Sequence, residues 1–147
     1  MKHSSRAWFT CAALALLASG CASLHTPGTA GASPEIAFST APTRSNRVLV
    51  RWRPLPSPIP LNEDFELEVM LSTPGDKPQP VLGAEVYVQG DMPAHGHGML
   101  RQPRSIEIGG GVYRVRGMLL HMSGHWELSI DVIHEGVAES ADFSVDL

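Results

Sequence analysis

The chain is nearly without cysteine. Its two, Cys11 and Cys21, both fall within the first 21 of 147 residues, so the rest of the protein carries no thiol. That excludes a disulfide framework, a Cys-x-x-Cys redox pair, a cysteine nucleophile and thiolate metal ligation in the body of the protein. Lysine is equally scarce, with only Lys2 and Lys77. If Lys2 and Arg6 leave with a leader, 9 basic residues face 15 acidic ones, a net charge near −6. Phosphate neutralisation needs clustered Lys and Arg, so nucleic acid is not an expected partner. Hydrolase signatures are missing as well: there is no His-Glu-x-x-His and no Gly-x-Ser-x-Gly. His121 and His125 are four apart, a ligand spacing on a helix, but "HMSGHW" reads as a strand end and turn. The chain is expected not to be an enzyme.

Long apolar runs are also few. The first, "AWFTCAALALLA" at 7–18, follows a basic start of Lys2, His3 and Arg6. It is shorter than the roughly 20 residues a spanning helix needs, and reads as a secretory signal over residues 1–20. "LASGC" at 17–21 resembles a bacterial lipobox, which makes Cys21 the expected lipidation site. Ala22 rather than Asp after that cysteine resembles the pattern sorted to the outer membrane of a Gram-negative host. The expected address is the periplasmic side of the bacterial cell envelope, with the membrane as a partner through the lipid. Residues 21–46 are rich in Ala, Ser, Thr, Pro and Gly and read as the lipidated cysteine and a flexible linker.

From residue 47 to 147 the pattern is strand and turn. "FELEVML" (65–71) sets Phe65, Leu67, Val69 and Leu71 against Glu66 and Glu68, and "HWELSIDVIH" (125–134) sets Trp126, Leu128, Ile130 and Val132 against Glu127, Ser129 and Asp131. Further short runs are "RVLVRW" (47–52), "GAEVYVQG" (83–90), "RSIEI" (104–108), "VYRVRGMLLHM" (112–122) and "AESADFSVDL" (138–147), with "GGG" (109–111) as a turn. "PLPSPIP" (54–60) carries prolines at alternate positions, which a central strand does not tolerate. Period-two alternation with regular turn signals and no helical period predicts an all-β protein, an immunoglobulin-like antiparallel sandwich of about seven strands.

What is abundant is histidine and methionine in two places. "DMPAHGHGM" (91–99) holds Met92, His95, His97 and Met99, and "GMLLHMSGHW" (117–126) holds Met118, His121, Met122 and His125. They flank the glycine turn, and a sandwich can bring such segments to one end. Thioethers are soft, neutral ligands that select Cu(I), and imidazole suits copper in either oxidation state. Zinc gains little from methionine. The candidate ligands are Met92, His95, His97, Met99, His121 and Met122, with His125 and Met118 behind them. Met118 and Met122 lie beside Leu119 and Leu120 and also fit as core fillers. In strand register with Tyr113, Val115 and Leu119, His121 fits as a buried histidine bonded to backbone. The expected cargo is copper.

"LNEDFELEV" (61–69), "DMPAHGHGM" (91–99) and "GVYRVRGMLLHMSGHWELSIDV" (111–132), in that order, resemble the YtkA-like, FixH-related domain family. The resemblance covers about residues 46–147. It implies an exported or membrane-tethered immunoglobulin-like sandwich with a role around copper handling or respiratory oxidase assembly. Met92, His95, His97 and Met99 match the first run of that family, and Met118, Met122 and Trp126 match the second. FixH proper is anchored by a spanning helix, whereas this chain carries the lipobox. The functional expectation is copper sequestration or delivery to a protein partner; the alternative is a metal-free envelope assembly module related to oxidase accessory proteins.

Overall fold

The computed structural model describes residues 37–147. The expected leader, Cys21 and most of the expected linker lie outside the described residues. In chain order the strands are β1 (Ser39–Pro42), β2 (Leu49–Leu55), β3 (Phe65–Ser72), β4 (Glu85–Met92), β5 (His97–Gly98), β6 (Arg104–Gly109), β7 (Val112–Met118), β8 (His125–His134) and β9 (Val137–Asp146). They form a five-stranded sheet in the order β1-β2-β3-β7-β6 and a four-stranded sheet in the order β5-β4-β8-β9. All named pairings are antiparallel. Among the described residues there is no helix, and the all-β sandwich expected from the sequence is the fold.

Alternation drives this architecture. β3 buries Phe65, Leu67, Val69 and Leu71, β4 buries Val86, Val88 and Met92, and β8 buries Trp126, Leu128, Ile130 and Val132. With a period of two, each strand sends one row of side chains between the sheets and leaves the other row wet. Trp126, Tyr113, Leu67 and Leu128 are among the largest fully enclosed side chains. Each large apolar side chain so buried stabilises the fold by about 1.5–3 kcal/mol. Tyr113 also ties down the connection before β4: its hydroxyl donates to the Val81 carbonyl (3.1 Å) and accepts from the Ala84 N–H (3.0 Å).

Nine strands stand where about seven were expected, and the additions are β1 and β5. β1 falls inside the expected linker and begins the ordered sheet at Ser39, ahead of the expected start at 47. Its exposed side chains show no alternation; what holds it is backbone pairing to β2 from Ser39↔Trp52 to Pro42↔Leu49. The Thr43 hydroxyl then accepts from the Val48 and Arg47 N–H groups and closes the β1–β2 turn. Pro54 lies within β2, where prolines were expected to forbid a central strand. β1 pairs with β2 only as far as Trp52, so at Pro54 one side of β2 is already an open edge and no donor is missed there. β7 ends at Met118, short of the expected 122, because the Leu120 carbonyl accepts from Asn62 N–H (2.9 Å) instead of a ladder partner. His121 therefore leaves strand register.

Candidate metal centre at one end of the sandwich

The topology brings the two Met/His runs to the same end. β4 climbs to Met92, where the Met92 carbonyl accepts from the N–H groups of both His95 and Gly96 (3.0 Å each) and turns the chain back. The return is β5, paired Asp91↔Gly98 and Met92↔His97, and the Met99 N–H closes on the Gly90 carbonyl at 2.8 Å. β8 lies on the other side of β4, with Asp91 opposite Glu127. The start of β8 is thus beside the end of β4, and the connection Leu119–Gly124 delivers the chain there from the five-stranded sheet. Gly124 and Leu147 exchange both backbone bonds (2.8 and 3.1 Å), and the Trp126 indole N–H donates to the Met122 carbonyl at 2.9 Å.

Three imidazoles and an indole form a row at this end. The ring centroids of His95 and His97 are 5.7 Å apart, those of His97 and His121 5.4 Å, and those of His121 and Trp126 5.6 Å. His97 and His121 are stacked, with planes 30° apart, and their contact joins β5 to the connection between β7 and β8. Exposure falls along the row: His95 and His97 are exposed, His121 is half-buried and Trp126 is fully enclosed. His121 Nδ1 is closed off from solvent and has no hydrogen-bond partner. The other unpartnered buried nitrogens among the described residues are Trp52 Nε1, Arg53 Nε and Arg114 Nε. The two guanidiniums are paired through their other nitrogens, which leaves His121 Nδ1 as the orphan at this end of the fold.

The methionines pack toward the core. Met92 is 1% exposed and Met118 0%, while Met99 and Met122 are partly buried against the same cluster. Two glycines make room for two of them. A Cβ on Gly90 would lie 3.2 Å from Met99 Cγ and 3.4 Å from its sulfur, and one on Gly124 would lie 3.1 Å from Met92 Cε. Met99 therefore occupies the inward space above Gly90, and Met92 the space beside Gly124. Because Met92 and His97 are directly opposed across β4 and β5, their side chains share a face of the sheet.

Several sequence expectations are placed differently. His125 is the outward residue before buried Trp126; its Nδ1 bonds Asp146 Oδ1 at 2.8 Å on the outer face, away from the row of rings. It is set apart from the candidate ligands because strand parity points it outward. Met118 lies opposite Phe65 with no exposure and fills the core. Asp91 has the opposite parity to Met92 and is exposed. The remaining candidates, Met92, His95, His97, Met99, His121 and Met122, all lie on the hairpin and connection that converge here. Trp126, Gly90 and Gly124 were not singled out as site residues. Gly124 and Trp126 lie within the second run, on either side of the first residue of β8, and Gly90 is conspicuous as the one inward position of β4 without a side chain.

Chemically, this arrangement suits a soft ion and not a hard one. Among the described residues no three His, Cys, Asp or Glu side chains are grouped to hold a metal, and the further soft donors at this end are the thioether sulfurs of Met92, Met99 and Met122. A buried ring nitrogen without a partner leaves a polar group desolvated, which is unfavourable by about 1–3 kcal/mol. A soft cation would satisfy it, and the thioethers at the same end are the softest donors this thiol-free domain has.

A family model described as YtkA-like matches residues 56–131, just over half of the chain, and spans both Met/His runs. Among solved structures, the chain is similar to the crystal structure of a DUF4426 family protein from Pseudomonas aeruginosa PAO1. The TM-score is 0.52 at 14% identity, covering 75% of this chain and 94% of that one. At that identity the likeness concerns the fold alone. No curated protein matches the chain.

Proposed function

The chain belongs to the YtkA-like family, and from that starting point we propose that it is an exported copper-binding lipoprotein that sequesters Cu(I) or hands it to a partner protein in the cell envelope. The observation that carries this reading is the contact of His97 in β5 with His121 in the connection between β7 and β8, with His121 Nδ1 buried and unpartnered at an end of the fold rich in methionine. His97 and His121 supply imidazole nitrogen, and Met92, Met99 or Met122 supply thioether sulfur. His95 stands outside them at the solvent boundary. Neutral soft donors hold Cu(I) without a thiolate that oxidation would destroy. Partial exposure lets a partner's ligands displace these donors one at a time. No step of bond-making chemistry is assigned, and the protein acts as a carrier rather than an enzyme. Lipidation of Cys21 would hold it on the periplasmic side of the membrane.

Cu(I) titration of the purified full chain against a competing chelator tests the proposal, with the double variant His97→Ala/His121→Ala alongside. Stoichiometric binding in the parent and its loss in the variant are expected. Equal binding in both removes this site. A second reading, a metal-free assembly module of the envelope, draws on the exposed His95 and His97 as contact residues. A parent chain that takes up no Cu(I) yet co-purifies with an envelope complex would favour it.

A further inference from the structure

The three imidazoles are positioned in a row and not around a point. Ring nitrogens bind a metal in the plane of the ring. His97 and His121 are stacked with planes 30° apart and centroids at 5.4 Å. His95 continues the row outward, tilted by 46° from His97 at 5.7 Å. The row is also graded: two exposed rings lead to a half-buried one, which abuts the enclosed Trp126. Only the innermost imidazole has a nitrogen sealed from water without a partner.

Resting on the copper reading, we propose that the row is a loading path and not a single coordination shell. His95 and His97 capture the ion at the surface and pass it inward, and His121 Nδ1 with thioether sulfur retains it. In each transfer a Cu–N bond to the outer ring breaks as a bond to the next donor forms; the ion stays Cu(I), and no electron or proton is exchanged provided the imidazoles are neutral. Trp126 is a positioning residue for the inner step. Its ring meets His121 nearly at right angles (76°), and its N–H holds the Met122 carbonyl, so it fixes the two adjacent residues that carry the inner donors.

This division of labour separates rate from affinity. The full chain is mixed rapidly with Cu(I) held by a chromophoric chelator, and the loss of chelator colour gives both the loading rate and the end-point affinity. His95→Ala is expected to slow loading by about tenfold or more while leaving the end point within about twofold. His121→Ala is expected to lower the end-point affinity by about 10–100-fold or more, since losing even an outer partner of a metal ligand has an effect of that size. His121→Gln, which preserves more of the volume, guards against misfolding and should show the same loss. Trp126→Phe keeps the ring but loses the N–H; it is expected to weaken the end point and to speed amide exchange at residues 121–124 in the metal-free protein. An end point weakened as much by His95→Ala as by His121→Ala overturns the path in favour of one shared shell. An unchanged loading rate in His95→Ala also overturns it. If the parent chain binds no Cu(I), the copper reading itself falls, an outcome distinct from both.

Discussion

Substituting Gly98 with alanine tests the placement of the hairpin that carries His95 and His97. Gly98 does not adopt a left-handed backbone, so nothing in its own conformation demands glycine. Where space allows, Gly→Ala stabilises by about 0.4–1 kcal/mol, because the unfolded chain has fewer states to lose. Here the space is taken. A Cβ at residue 98 would overlap Asp91 Oδ1 and come within 2.7 Å of the Gly90 carbonyl oxygen. Asp91 is a surface side chain that can rotate away, whereas the Gly90 oxygen is backbone and already accepts from Met99 N–H. The carbonyl contact therefore has to be relieved by shifting β5, an overpacking penalty of about 1–3 kcal/mol that exceeds the entropic gain. Net destabilisation is expected, with the melting temperature falling by about 4–8 °C per kcal/mol in a domain of this size. In an Asp91→Ala background the loss should shrink but persist, because only one of the two contacts has gone. Gly96→Ala serves as the contrast. Its Cβ would meet nothing within 4 Å, but φ is +67°, so it should lose about 1–2 kcal/mol whether or not Asp91 is present. Thermal melts of the three single and two double variants decide the matter. A Gly98→Ala protein as stable as the parent, or more so, refutes the close approach of β4 and β5 on which the placement of His97 depends.

Other outcomes follow from the same geometry. Tyr113→Phe removes a hydroxyl that serves both Val81 and Ala84, leaving two backbone groups short of a partner, and chemical denaturation should show a loss of about 1–3 kcal/mol. Burial raises the Tyr113 phenol above its ordinary 10.0; the stability that its neutral form contributes is present below the unfolded value and lost as pH rises through the folded one. Alkaline melts should accordingly show a smaller pH slope in Tyr113→Phe than in the parent. The Ser45 hydroxyl donates to Glu139 and lowers its carboxyl from 4.5. That contribution is present above the unfolded value and fades as pH falls through the folded one, so Ser45→Ala should narrow the stability gap between neutral and acidic pH. Met92→Leu conserves volume in the core and should change stability by less than about 1.5 kcal/mol, yet it removes a thioether; Cu(I) titration should show weaker binding while the melt barely moves.

Much of the fold was legible because strand parity is written residue by residue. "FELEVML" and "HWELSIDVIH" divide inward from outward positions as the sheets do, and β8 has the bounds the sequence suggests. β1 was not legible, because an exposed edge strand has no apolar row to read and is held by backbone pairing alone. At the candidate site the residue types and the two motifs were visible, and so was the case for Met118 as core filler. The same parity that reveals a strand also directs His125 outward to Asp146, although proximity in sequence had grouped it with His121.

The sequence by itself determined the class of fold, the thiol-free chemistry of the domain and the two short runs able to offer soft ligands. These are properties of composition and local period, which need no partner strand to exist. Only the tertiary structure decided that the runs meet, because that depends on β4 and β8 being neighbours and on the chain crossing between sheets at residues 119–124. It also decided that Gly90 and Gly124 yield their space to Met99 and Met92, and that the histidines stack in a row with one nitrogen sealed inside. Those relations are set by which strands lie side by side and how closely two sheets can pack, a geometry that no single stretch of chain contains.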